Sequence, residues 1–138
     1  MRRLFLPLLA ASMLLSCSTA PKVDPLEAKA RDGDPVAACE LAMRSLHDCA
    51  LALQSWEGSK VGPRPACTSH GVSDQQMSYV DKAYENLSAM DRLKYLTGPR
   101  VQLLVATVAV MVGPGDKAVQ ATTDGQQSCR KFADRTAN

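Results

Sequence analysis

Asp34-Pro35-Val36-Ala37-Ala38-Cys39-Glu40-Leu41-Ala42-Met43-Arg44-Ser45-Leu46-His47-Asp48-Cys49-Ala50-Leu51-Ala52-Leu53-Gln54-Ser55-Trp56 reads as one long helix. Asp34 suits the cap that accepts from orphan amides, and Pro35, with no N–H and a preset φ, suits the first helical position. Cys39, Ala42, Leu46, Cys49, Leu53 and Trp56 recur at spacings of 3, 4, 3, 4 and 3, a single apolar stripe. Gly58 and Gly62-Pro63-Arg64-Pro65 end the helix. Its two cysteines stand ten positions apart, about 15 Å at a rise of 1.5 Å per residue. A disulfide needs Cα atoms about 4.4–6.8 Å apart, so Cys39 and Cys49 must take different partners. Cys67 follows the helix after a short loop, which predicts the pairs Cys49–Cys67 and Cys39–Cys129.

Upstream, Asp24-Pro25 repeats the Asp-Pro start and opens a short first helix that stops at Gly33. Downstream, Ser73-Asp74-Gln75-Gln76 has the spacing of a capping box. Met77, Val80, Tyr84 and Leu87 continue from it at helical spacing, Ser88-Ala89-Met90-Asp91 restarts or bends the helix, and Gly98-Pro99 is expected to stop it. Val101 to Val112 contains only Gln102 and Thr107 as polar residues, and twelve residues are too few to span a bilayer. Its five valines allow a strand, whereas the lack of a second strand to pair with favours a buried central helix; the sequence leaves both open. A last helix is expected from Asp116 or Asp124 through Cys129 and Phe132. The expected class is all-α, a small disulfide-stapled bundle of about four to five helices.

The chain has 138 residues, 46% apolar and 22% charged, enough for one domain and its core. Aromatic residues make up only 4%, so Leu, Val, Ala and Met must fill that core. Met1-Arg2-Arg3 followed by apolar Leu4 to Leu15 has the form of a signal peptide. Without Arg2 and Arg3, the 16 basic and 14 acidic residues become 14 against 14. Net neutrality with no basic stripe argues against a nucleic-acid partner.

Leu14-Leu15-Ser16-Cys17 resembles the lipobox of bacterial lipoproteins. The resemblance implies cleavage before Cys17, lipidation of Cys17 and firm membrane anchoring. Ser18 after the cysteine implies the outer membrane, periplasmic face. The expected organisation is therefore a signal peptide over 1–16, a lipidated tether over 17–23 and one helical domain over 24–138. Cys39, Cys49, Cys67 and Cys129 remain as an even set in an oxidising compartment, consistent with two disulfides.

Cys67-Thr68-Ser69-His70 carries a thiol near an imidazole, but a paired cysteine is no nucleophile. His47 and His70 with the cysteines lack the short paired spacing of structural zinc sites, so no metal is expected. Glu27, Glu40, Glu57 and Glu85 read as solvated helix faces, and no Gly-rich phosphate loop follows a strand; neither a cofactor nor an enzymatic activity is expected. Recognition falls to aromatic residues and a tethered loop. Trp56 and Tyr84 lie on core stripes, while Tyr79 and Tyr95 lie off them and are the expected contact residues, with the loop from Glu57 to Ala66.

Ala30-Arg31-Asp32-Gly33-Asp34-Pro35-Val36-Ala37-Ala38-Cys39-Glu40-Leu41 resembles a tetratricopeptide-like helical start, present once where such solenoids need about three copies. Cys39, Cys49, the run Cys67-Thr68-Ser69-His70-Gly71-Val72-Ser73-Asp74-Gln75-Gln76 and Cys129 resemble the four-cysteine helical periplasmic immunity proteins that neutralise amidase toxins of type VI secretion. Ala50-Leu51 stands where that family has Gly-Tyr, and the span from Val72 to Cys129 is longer. The expected function is an outer-membrane-anchored periplasmic protein-binding module, an immunity protein or inhibitor of a cell-wall-degrading toxin. The alternative is an accessory scaffold lipoprotein of an envelope or secretion complex. The expected partner is another periplasmic protein, and the sequence leaves the oligomeric state open.

Cys17→Ser should block lipidation, so that fractionation finds the protein outside the membrane pellet or unprocessed. Processing and pelleting like the native chain would show that the lipobox reading is wrong.

Overall fold

The computed structural model describes residues 22–67 and 73–136. The expected signal peptide, Cys17, most of the expected tether, and the Thr68-Ser69-His70-Gly71-Val72 stretch lie outside the described residues. Helices α1 (Pro25–Arg31), α2 (Pro35–Ser59), α3 (Asp74–Glu85), α4 (Ala89–Tyr95), α5 (Val101–Val112) and α6 (Gly115–Thr136) form a bundle, with no strand among the described residues. The all-α class is as the sequence reads it.

Both Asp-Pro starts cap as expected: Asp24 Oδ1 accepts from Leu26 N at 2.9 Å, and Asp34 Oδ1 from Val36 N and Ala37 N. Arg44 on α2 pairs with the other Asp24 oxygen, and the guanidinium holds that carboxyl below its ordinary range. Gly33 at φ +97° ends α1, where its N–H and that of Asp34 return to Ala30 O and Lys29 O. At α3 the capping box forms in both directions between Ser73 and Gln76, and Gln76 Nε2 also donates to Ser45 on α2 at 2.9 Å. Ser88 caps α4 by accepting from Asp91 N.

The long helix α2 and the last helix α6 run antiparallel as the main seam of the bundle. The Cys39–Cys129 disulfide joins them at one end, with Cα atoms 5.7 Å apart. About one turn further, the Met43 side chain occupies the space that a side chain on Gly125 would fill, since a Cβ there would lie 2.4 Å from its Sδ and Cε. His47 Nδ1 then meets Thr122 Oγ1 at 2.9 Å. At the far end Gly115 presses on the α2 backbone, and Glu57 Oε2 accepts from its N–H at 2.7 Å. Glu57 thus caps α6 at its positive end rather than facing solvent. The second disulfide, Cys49–Cys67, spans 5.9 Å between Cα atoms and returns the chain after α2 to that helix.

Gly98-Pro99 does not stop the helix. A π-helical turn, Leu96–Arg100, joins α4 to α5, so that Ala89–Val112 is one 24-residue helix. Proline cannot donate to the preceding turn and crowds its carbonyl, and the wider turn accommodates both. The last helix begins at Gly115, just before the earlier of the two expected starts. Residues 101–112 are helical but not centrally buried: Leu103, Ala106 and Val110 face the core while the opposite side is open.

The expected contact residues Tyr79 and Tyr95 are a correction, because both are buried, at 7% and 2% exposure. Helix α4 turns Tyr95 inward onto Phe132 of α6, edge to face at 5.3 Å between centroids, with Tyr84 6.3 Å away. Burial pushes the Tyr95 hydroxyl up to about 12. Tyr79 packs in the core beside α1, where its hydroxyl raises the Arg31 guanidinium although the contact falls short of hydrogen-bond geometry. Trp56 and Tyr84, expected in the core, are only half-buried.

Non-reducing peptide mapping should recover Cys39–Cys129 and Cys49–Cys67 alone. Their sequence separations are 90 and 18 residues, and the chain-entropy model assigns such closures somewhat more than 4 and about 3 kcal/mol. Gly115→Ala would set a Cβ 2.6 Å from Gln54 Cα and should cost about 1–3 kcal/mol by overpacking. Gly58→Ala, with open space around it in α2, should instead gain about 0.5–1 kcal/mol. Denaturant melts of the two variants check the opposite signs.

Candidate functional site

The tethered loop after α2 begins later than expected, because the helix runs on to Ser59 and takes Glu57 with it. Lys60 closes the helix in the left-handed region at φ 54°, with its N–H bonded to Trp56 O. Its ammonium sits over the Trp56 ring at 4.6 Å. Trp56 Nε1 in turn donates to Gly62 O at 2.9 Å, tying the loop to the helix end. At the other end Cys67 N bonds to Pro65 O, and the Cys67 sulfur is fixed to Cys49. Pro65 and Cys67 border an open pocket together with Val110 and Met111 of α5. Between these anchors the chain holds up Val61, which is 78% exposed, followed by Gly62, Pro63 and Arg64. The span carries Lys60 and Arg64 and no carboxylate. Chemically the loop is a preordered basic and apolar projection, able to bind with little ordering cost.

The second conspicuous surface is the open side of the Ala89–Val112 helix. Leu104, Val108 and Val112 are 65%, 50% and 75% exposed, and Val101, Val105 and Met111 lie beside them. The π turn extends this side. Leu96 precedes Leu104 by eight residues, which in an unbroken α-helix would set it about 80° away; the extra residue of a π turn reduces that to about 20°. Leu96 and Leu93 are accordingly exposed along with it. By length and composition this helix could cross a membrane, yet Tyr95, Leu103, Ala106 and Val110 pack it into the bundle.

The polar groups that invited other chemistry are otherwise engaged. Thr122 is fully buried, with its hydroxyl within hydrogen-bond reach of Ala118 O, Val119 O and His47 Nδ1. All four cysteines of the domain are in disulfides, and Cys17 lies outside the described residues. Among the described residues no three of His, Cys, Asp and Glu converge as a metal-ligand set.

The structure therefore brings together Cys49, Cys67 and the loop, whereas it takes Tyr79 and Tyr95 out of the site. The exposed side of α5 escaped the sequence reading, since a run with only Gln102 and Thr107 polar does not say which of its sides is covered. Comparisons with protein-family models, with curated proteins and with solved structures give no match for the chain.

Proposed function

We propose that the chain is a lipid-anchored recognition module of the periplasmic face of the outer membrane, binding another protein through the loop 60–66. One observation carries this reading: a disulfide, an indole hydrogen bond and a cation over a ring hold an exposed valine and an arginine in place. Interfaces draw their affinity from a few prepositioned side chains rather than from area. The basic character of the loop calls for a partner surface with carboxylates around a small apolar recess that takes Val61. An inhibitor of a cell-wall-degrading toxin fits this pattern, and the resemblance of the cysteine framework to periplasmic immunity proteins supports it. The scaffold reading draws on the long apolar side of α5, since flat helical faces are a common means of holding complexes together.

Affinity capture from periplasmic extracts with the full-length chain tests the loop. The wild type should recover a discrete partner, and Val61→Glu or Arg64→Glu should reduce recovery about tenfold or more, equivalent to at least about 1.4 kcal/mol. Arg64→Glu should also slow association most at low salt. Recovery of structural envelope proteins alone, unchanged by either substitution, would favour the scaffold instead.

A further inference from the structure

Val101, Leu104, Val108 and Met111 recur along α5 at spacings of 3, 4 and 3, with Val105 and Val112 beside them. All six are exposed. This is a heptad seam with valine at the a positions and Leu or Met at d, the pattern into which a second helix fits knob into hole. From Val101 to Gly115 no residue is charged, so nothing in the seam opposes close approach. Together with Leu93 and Leu96 the face offers on the order of 800 Å² of apolar surface, more than the about 300–600 Å² of the largest patch on an ordinary monomer and about what each partner of a standard interface buries. The helix is already folded against α2 and α6, so pairing bears no nucleation cost.

We infer that this face is the interface between two copies of the chain, whose α5 helices pair antiparallel across a two-fold axis. An isologous contact requires a patch that complements itself. Arg100 marks one end of the seam; the carbonyl end of α5 and Asp116 mark the other. Antiparallel pairing sets each Arg100 toward the negative end of the other helix, whereas parallel pairing sets Arg100 against Arg100. Because Pro65 and Cys67 border one pocket with Val110 and Met111, near the C-terminal end of α5, antiparallel pairing also places one recognition loop toward each end of the seam. The dimer thus presents two such loops, and its existence does not depend on what they bind.

The test is photo-cross-linking of the full-length chain in cells, with p-benzoylphenylalanine in place of Val108 and, as control, in place of Gln120 on the exposed side of α6. Position 108 should give an adduct of twice the chain mass containing only this chain, and position 120 should not. In sedimentation of the purified full-length protein, Val108→Glu should weaken self-association about a hundredfold, with both disulfides retained as evidence of folding. Arg100→Asp should weaken it too, and adding Asp116→Arg should restore it. Adducts from position 108 to a different protein or to lipid alone, or a dimer unaffected by Val108→Glu, would overturn the inference. Because Val61 and Arg64 lie outside the seam, capture of a loop partner by a monomeric Val108→Glu chain would separate failure of the dimer from failure of the proposed function.

Discussion

The close antiparallel seam of α2 and α6 is the constraint against which the other helices are laid. A chain this poor in aromatic residues cannot fill wide gaps, so its helices must approach until Ala and Gly suffice as contact residues. Ala38, Ala42, Ala50 and Ala118 are fully buried, Gly125 leaves room for Met43, and Gly115 touches the α2 backbone. The Cys39–Cys129 bridge and the Glu57 carboxylate on the Gly115 amide fix the two ends of the seam, and the His47–Thr122 contact lies between them. Once this register is set, each side of α2 is committed: α1 and α3 cover part of it, and α5 lies in the angle between α2 and α6.

That arrangement explains why so apolar a helix as α5 is left half open. Leu103, Ala106 and Val110 satisfy the bundle, and no other helix among the described residues covers Leu104, Val108 and Val112. The π turn at Leu96–Arg100 shows that the open side is continuous, because the added residue aligns Leu96 with the α5 seam while Tyr95 still points to Phe132. The loop 60–66 is the other product of the same geometry. Its stem is the end of α2, its far end is stapled to Cys49, and its flank borders a pocket shared with Val110 and Met111 of α5. Two surfaces of different character, one preordered and basic, one flat and apolar, thus sit side by side on a rigid frame.

Local sequence specifies the helices whose starts are chemical. Asp24-Pro25, Asp34-Pro35 and Ser73 with Gln76 act within a few residues, so caps read from spacing reappear in the fold. The sequence specifies the disulfide pairs as well, because a straight helix sets Cys39 and Cys49 too far apart to meet and leaves few partners. Properties that depend on a neighbour emerge only with the fold. Tyr79 and Tyr95 lie off the stripes of their own helices, yet α1 and α6 cover them; Trp56 lies on a stripe, yet it is only half-buried and its indole donates to the loop. Gly98-Pro99 reads as a stop, and it is passed because a π turn removes the clash while packing holds both halves in line. The exposed side of α5 belongs to the same class: periodicity gives the direction of every side chain about a helix axis, but which direction meets protein and which meets water is set by the elements packed around it.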